Sequence, residues 1–463
     1  MRAYGDILLI SCYELGHQPF HLASVSALLQ QAGYLPRSVD TAVEDLTDEA
    51  IRRAHFVAIA VPMHTALRLG EQLARRVRSV NPGAHICLYG LYALLNADHL
   101  LQGTIDAAIG GEYEIPLLNL VTALEQGQVG SIPGVCTRAE RSGPWIARTP
   151  FLIPERSQLP PLERYARLQW RDELRIAGYT ETTRGCKHTC LHCPITPLYR
   201  GRFFAVPAEI VLADIRAQVE RGARHITFGD PDFWNGPTHA LRITRAMHRE
   251  FPDLTFDATI KIEHLLHHQH LLPEMRELGC VFIVSAVESL NDDVLRHLDK
   301  GHSAADVARA FDLTERAGIV LRPSLLPFSP WETLESYLAL LDFFERRRLI
   351  EHLDPVHLSI RLLIPPGSAL LDEPDSYKWI GELDAEAYSY RWQHPDPRMD
   401  ALQQHVAALV ENAEQRKADP IETFFQVKAL AMAMQGQDFS VAHALQRYGK
   451  CKVLPHLTES WFC

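Results

Sequence analysis

No uncharged apolar run in this 463-residue sequence is long enough to span a bilayer, and Met1-Arg-Ala-Tyr-Gly-Asp6 leads directly into a short strand-like segment rather than a signal peptide. The expectation is a cytoplasmic protein with no membrane partner. Positive charge is in deficit too: 46 lysines and arginines against 57 aspartates and glutamates leave a formal net charge of −11, which argues against a broad nucleic-acid surface. Cysteine is scarce outside one cluster. Nine cysteines, three of them close together, fit a reducing compartment and a metal centre better than a disulfide framework. The remaining composition, 47% hydrophobic and 22% charged, suits a soluble globular chain of two or three domains.

The chain is organised around Thr183-Arg-Gly-Cys-Lys-His-Thr-Cys-Leu-His-Cys-Pro194, with thiols at Cys186, Cys190 and Cys193. Spacings of three and then two residues let the three sulfurs wrap one compact centre, and a cubane iron-sulfur cluster held by three thiolates keeps its fourth iron open. A structural zinc site wants four closing ligands, usually as two Cys-x-x-Cys pairs, and ferredoxin runs supply a fourth cysteine in cis. Neither follows here, although His188 and His192 could complete a zinc site. Cys12, Cys87, Cys136 and Cys280 sit in or beside apolar segments and are expected to be buried structural thiols.

Cys-x-x-x-Cys-x-x-Cys with an aromatic ring, His192, just before the last cysteine resembles the signature of the radical S-adenosylmethionine (SAM) enzymes. The resemblance implies a [4Fe-4S] cluster on the three cysteines, SAM chelated to the open iron, and an electron donor of the flavodoxin or ferredoxin type. Downstream segments agree in order. An apolar strand from His225 ends in Gly229-Asp230-Pro231-Asp232, similar to the Gly-Gly-Glu-Pro element that meets the SAM amino group; in isolation it would be an ordinary turn. The strand Cys280 to Val287 ends in Glu288-Ser289, which looks like the family's glutamate-serine pair near the SAM ribose and carboxylate, and Lys300-Gly301 belongs to the same resemblance. Arg322, on the strand Ile319 to Leu326, suits the SAM carboxylate, or else a salt bridge to a barrel acid. Pro327 to Thr333 reads as a rigid aromatic loop that could wall a substrate pocket. With strands at Arg175 to Tyr179, Asp253 to Ile260 and Leu358 to Ile364, six strand signals imply an open (β/α)6 barrel over residues 151–370.

Residues 1–150 alternate strands (Asp6 to Cys12, Phe56 to Val61, His85 to Tyr89) with helices, the pattern of a doubly wound α/β sheet whose ligands sit at the strands' carboxyl ends. Those ends carry Glu14-Leu-Gly-His17, Pro62-Met-His-Thr65, Gly90-Leu-Tyr92 and Gly110-Gly-Glu-Tyr-Glu114. The arrangement resembles the cobalamin-binding Rossmann domain that precedes the barrel in one branch of the family. The Asp-x-His-x-x-Gly frame is missing around His17, so the resemblance implies cobalamin without a histidine lower ligand; a scaffold that only caps the barrel is the alternative. Residues 133–165 read as a proline-rich connection. Residues 371–463 read as a helical extension over the open side of the barrel, with amphipathic runs at Met399 to Lys417 and Glu422 to Met434. The ending, from Cys451 to Cys463, resembles the start of a tail known from Cys-Sec-Ala-Glu-Pro and Cys-Cys-Ala-Glu-Pro termini. That implies a selenocysteine codon read as a stop; a frayed end with an accidental thiol is the alternative.

The resemblance implies reductive cleavage of SAM to modify a small molecule, with transfer of a methyl or other SAM-derived group in natural-product biosynthesis. Transfer of a 3-amino-3-carboxypropyl group to a soft acceptor such as trivalent arsenic is the alternative reaction. A cobalamin or iron-sulfur sensor without turnover is the alternative class. No residue pattern specifies the substrate.

Overall fold

The structure, a computed structural model, describes residues 1–128, 130–449 and 453–459. Cys451 and Cys463, and with them the expected tail, lie outside the described residues.

The first sheet comprises β1 (Ile7–Ser11), β2 (Arg37–Asp40), β3 (Phe56–Ala60), β4 (His85–Tyr89), β5 (Ala107–Ile109) and β6 (Val135–Thr137), in the order β2-β1-β3-β4-β5-β6. Its first five strands are parallel and β6 is antiparallel to β5. Side chains alternate between two cores, as the period of a strand requires. Leu8, Ile10, Val57 and Ile59 pack with Leu67 and Val77 of the helix His64–Val80. Ile7, Leu9, Phe56 and Ala58 pack with Leu22 and Leu29 of the helix Phe20–Gln31 and with Leu117 of the helix Glu114–Glu125. Helices on both faces explain why β1 and β3 are unbroken apolar runs.

The second sheet curls into a half-barrel. It contains β7 (Arg167–Trp170) and β8 (Glu173–Thr180); a short separate ladder of β9 (Thr183–Gly185) and β10 (Phe203–Ala205) follows in the chain. The sheet continues with β11 (His225–Phe228), β12 (Thr255–Thr259), β13 (Cys280–Glu288) and β14 (Val320–Leu325). After a hairpin of β15 (Ile380–Asp384) and β16 (Ser389–Trp392), β17 (His456–Leu457) completes the order β14-β13-β12-β11-β8-β7-β17. Strands β8 and β11 to β14 are parallel, whereas β7 and β17 add an antiparallel edge. At the sixth strand signal, 358–364, the described residues form one parallel bridge, Phe328↔Arg361, in place of a ladder. Pro327 and Pro330 flank the partner and have no N–H to donate, so pairing stops after the bonds around Phe328.

Helices Pro397–Gln415 and Pro420–Met434 bury Met399, Leu402, Val406, Phe424 and Phe425 in the core that contains Phe228, Phe256 and Leu321. Each starts with a proline preceded by a capping aspartate, Asp396 or Asp419, which locates its first turn. The connection between the halves is pinned by Arg156, buried with Asp214 at 2.7 Å and with Gln18 at 3.0 Å. Among the described residues no helix is long and apolar enough to cross a membrane.

Candidate cluster site and the adjoining cleft

The cysteine loop leaves the half-barrel just after β8, on the face where loops follow parallel strands. Its approach is tied to the neighbouring strand by Asp230. One carboxylate accepts hydrogen bonds from Thr182 N at 2.9 Å, Thr182 Oγ1 at 2.6 Å and Thr183 Oγ1 at 2.6 Å. Burial nevertheless pushes the Asp230 carboxyl up to about 6. Gly185 turns the chain with φ +77°, and a Cβ there would lie 2.4 Å from the Tyr199 ring. Asn235 clamps the turn, donating to Gly185 O at 3.2 Å and accepting from Lys187 N at 3.1 Å. Farther along, Leu191 N donates to Leu298 O at 3.1 Å, and Thr196 Oγ1 donates to Cys190 O at 2.9 Å. The loop is therefore fixed before any ligand binds.

Cys190 is buried, and Cys186 and Cys193 are half-buried. Burial, joined by the other cluster thiols, pushes Cys186 up to about 12 and Cys193 up to about 11. Three sulfurs close enough to oppose one another's ionisation fit a cationic iron cluster, which reverses that penalty. Cys12, Cys87, Cys136 and Cys280 sit in the apolar cores, as structural thiols should.

Glu288 ends β13 in the left-handed region, φ +65°, and its carboxylate meets His192 Nε2 at 3.3 Å and Lys300 Nζ at 3.0 Å. Burial works against the Glu288 charge, but the Lys300 ammonium and His192 outweigh it and hold the carboxyl well below its ordinary range. Replacing Lys300 with methionine strands this buried carboxylate and is expected to cost about 3–5 kcal/mol at neutral pH. The parent's depressed Glu288 stabilises the fold above the unfolded carboxyl pKa of about 4.3, and the contribution is lost as pH falls through the lower folded value. In the variant the stranded carboxyl, left to burial, rises and is neutralised by acid, so urea unfolding at pH 7 and pH 4 should show the gap between parent and variant narrowing at the acid end.

The other sequence candidates have different partners. Ser289 Oγ donates to buried Glu332 at 2.6 Å. Arg322 pairs with Asp354 at 2.6 Å and faces a cavity shared with the C-terminal helices. Gly229 accommodates the Tyr179 hydroxyl, which lies 1.8 Å from where a Cβ would sit, and Pro231 lines the cleft described next. Asp232 accepts from Trp234 N at 3.0 Å and turns its other oxygen toward His188 and His264.

A cleft of about 200 Å³ separates the carboxyl ends of the first sheet from the cysteine strap. All four strand-end loops singled out in the sequence reach it, through Glu14 and His17, Met63, Gly90 and Gly111; Thr183 and Gly185 form the opposite wall. His17 packs against Tyr179 with ring centroids 4.7 Å apart and the planes tilted by 36°, and burial pushes its imidazole down to about 4. At one end of the cleft Arg184 joins the two halves: it contacts Glu112 at 3.3 Å, Glu181 at 3.2 Å and Glu114. Tyr199 donates to Glu112 at 2.8 Å. This hub escaped sequence reasoning, although two glutamates in a glycine loop that also holds an aromatic residue were a signal that buried acids would need a cation.

The architecture is a half-barrel whose three-cysteine loop faces a doubly wound sheet across a shared cleft. Residues 180–344 match the family model of the radical SAM superfamily; this stretch is a radical SAM domain, and a [4Fe-4S] cluster and SAM are its cofactors. Over 344 residues the chain is 22% identical to an uncharacterized methyltransferase of Pyrococcus horikoshii, covering 71% of this chain and 73% of the relative. Over 326 residues it is 23% identical to the hopanoid C-3 methylase of Methylococcus capsulatus, covering 68% of this chain and 62% of the methylase. Two solved structures share the fold. The radical SAM methyltransferase TsrM of Kitasatospora setae, with cobalamin and a [4Fe-4S] cluster bound, has a TM-score of 0.59 at 17% identity, over 73% of this chain and 70% of TsrM. The cobalamin-dependent enzyme OxsB, with aqua-cobalamin and SAM bound, has a TM-score of 0.69 at 14% identity, over 96% of this chain and 78% of OxsB.

Proposed function

We propose that the chain is a cobalamin-dependent radical SAM transferase that places a methyl group on a small molecule, with reducing electrons from an external flavodoxin- or ferredoxin-type donor. The observation that carries this reading is the cleft itself, because its walls are the strand ends of the first sheet on one side and the cluster strap on the other. A doubly wound sheet binds its ligand at those ends. The relatives named for methyl transfer, and the cobalamin in TsrM and OxsB, point the same way.

Together the cofactors supply reductive cleavage of a SAM carbon–sulfur bond and a carrier for the methyl group. The protein's part is to hold them. Cys186, Cys190 and Cys193 take the cluster; Glu288, kept ionised by Lys300 and His192, offers a fixed acceptor for SAM hydroxyl or ammonium groups. A corrin in this cleft would do without a histidine ligand, because the imidazoles along the cleft have other partners: His17 packs on Tyr179, and His21 lies 3.1 Å from Glu14.

The test is anaerobic reconstitution with iron, sulfide and hydroxocobalamin, followed by desalting and turnover with SAM and a reductant. Corrin absorbance that stays with the protein, together with 5′-deoxyadenosine among the products, supports the proposal. Loss of all corrin on desalting removes cobalamin. Methylthioadenosine as the main nucleoside product replaces methyl transfer with 3-amino-3-carboxypropyl transfer, to be followed with arsenite as acceptor. An intact, reducible cluster that leaves SAM uncleaved favours a sensor.

A further inference from the structure

Beside the cluster loop, three side chains outside the cysteine set converge. Asp232 Oδ2 lies 2.7 Å from His264 Nδ1 and 3.4 Å from His188 Nε2, and His188 Nε2 lies 3.3 Å from His264 Nε2. One donor atom from each residue falls within 4.8 Å of the others. Asp232 is 1% exposed and His264 4%, yet neither Asp232 Oδ2 nor His264 Nδ1 has a hydrogen-bond partner among the described residues. A buried carboxylate oxygen and an imidazole nitrogen in contact, with no well-aligned hydrogen bond between them, form a pair that a shared cation would satisfy. We infer that His188, Asp232 and His264 form a second metal site, for a single divalent first-row transition ion, separate from the cysteine cluster.

The donor set selects the ion. Two imidazoles and one carboxylate suit zinc, iron(II) or cobalt(II) and disfavour calcium or magnesium, which prefer oxygen. Metal–ligand bonds of about 2.0–2.2 Å place two donors on one ion roughly 3 to 3.5 Å apart; the His188–Asp232 separation of 3.4 Å agrees, and the His264–Asp232 contact at 2.7 Å would have to open by a few tenths of an ångström to admit the ion. On the far side of the His188 ring the Glu263 carboxylate lies 3.8 Å from Nδ1, the nitrogen whose N–H a ligating imidazole donates, and Lys261 Nζ lies 3.1 Å from that carboxylate. Entry is provided by a histidine-rich run, His264-Leu-Leu-His-His-Gln-His270. Its rings follow one another, with His264 to His268 at 5.9 Å and His268 to His267 at 4.6 Å.

Position gives the site its use. His188 lies between Cys186 and Cys190, Asp232 follows β11, and His264 is on the short helix Ile262–His267 that follows β12, so all three lie beyond the carboxyl ends of the parallel strands. Three protein ligands leave coordination positions open for water or for a carboxylate, phosphate or hydroxyl group of a substrate. The ion would orient such a group next to the cluster. This gives Asp232 a different partner from the SAM ammonium that the sequence resemblance implies, and it does not depend on cobalamin or on which SAM bond is cleaved.

The test uses the full, tag-free chain with its cluster rebuilt, so that the three cysteines are already occupied. After exposure to zinc and desalting, elemental analysis should find about one zinc per chain beyond the cluster iron. Cobalt(II) in place of zinc should give saturable d–d absorption. Asp232→Asn and His264→Gln should each weaken binding at least about tenfold, since loss of an outer partner alone costs 10- to 100-fold. His267→Gln, outside the triad, should retain the ion, and cluster iron should be unchanged in all three. Zinc content unaffected by Asp232→Asn and His264→Gln overturns the site. So does a parent chain that shows neither zinc nor a saturable cobalt band, and this measurement decides the matter even if both variants fail to fold.

Discussion

Changing Cys186 to alanine is expected to lower cluster iron from about four atoms per chain to background and to take SAM cleavage to the uncatalysed level, with the fold intact. Two structural reasons separate the loss of cluster from a loss of fold. The thiol is half-buried on a loop outside the apolar cores, and it is pushed up to about 12, so in the cluster-free chain it is a neutral group that takes part in no ion pair. Its backbone on both sides is held by Asn235, through Gly185 O and Lys187 N. Alanine keeps those bonds. Iron and sulfide analysis, the charge-transfer absorption of the cluster and a far-ultraviolet dichroism spectrum check the three parts together. The same experiment separates an iron cluster from zinc. A parent chain that takes up zinc in the cysteine loop and no iron, or a Cys186→Ala chain that keeps its cluster, rules out the three-thiolate centre.

The parts of this molecule that were legible in the sequence are those where a local pattern carries a physical demand. β1, β3, β4 and β13 are packed on both faces and so read as largely continuous apolar runs. The short β2, Arg37-Ser-Val-Asp40, and β5, Ala107-Ala-Ile109, carry no such signal; they exist because β1 and β4 offer ladders to pair with. The cysteines were legible because one cluster needs its sulfurs within a few residues of chain. Side-chain direction was not. Asp230 turns back to Thr182 and Thr183, Ser289 reaches Glu332, and Arg322 reaches Asp354, each across more than 30 residues that no spacing rule connects. The same holds for the sixth strand signal, where the apolar run is present and prolines in its neighbour limit pairing to one bridge.

Replacing Arg184 with methionine should be among the most destabilising single changes in the chain, at about 3–5 kcal/mol, because it removes a buried cation from three acids at once. Arg184 is 8% exposed and Glu112 0%, so water cannot take over the lost interactions. In the parent, burial opposes the charge of Glu114, but Arg184 and Ser24 overcome it and leave its carboxyl below the ordinary range. Without the guanidinium, burial outweighs the remaining hydrogen bonds from Ser24 and Tyr199, and the carboxyls rise. Their cost is then greatest above about pH 4.3, where the unfolded chain's carboxylates are ionised, and it shrinks as acid protonates them in the folded state. Urea unfolding should therefore separate parent and variant widely at pH 7 and much less near pH 4. Adding Glu114→Gln to the variant should recover part of the loss, since the two residues share one interaction. The consequence reaches the site, because Arg184 lies two residues from Cys186 and its partners Glu112 and Glu114 belong to the first sheet's cleft loop. A variant that unfolds within about 1 kcal/mol of the parent would mean that water screens the hub after all, as it does a surface ion pair. The two halves would then have to be held in register by Arg156 and the connection around it.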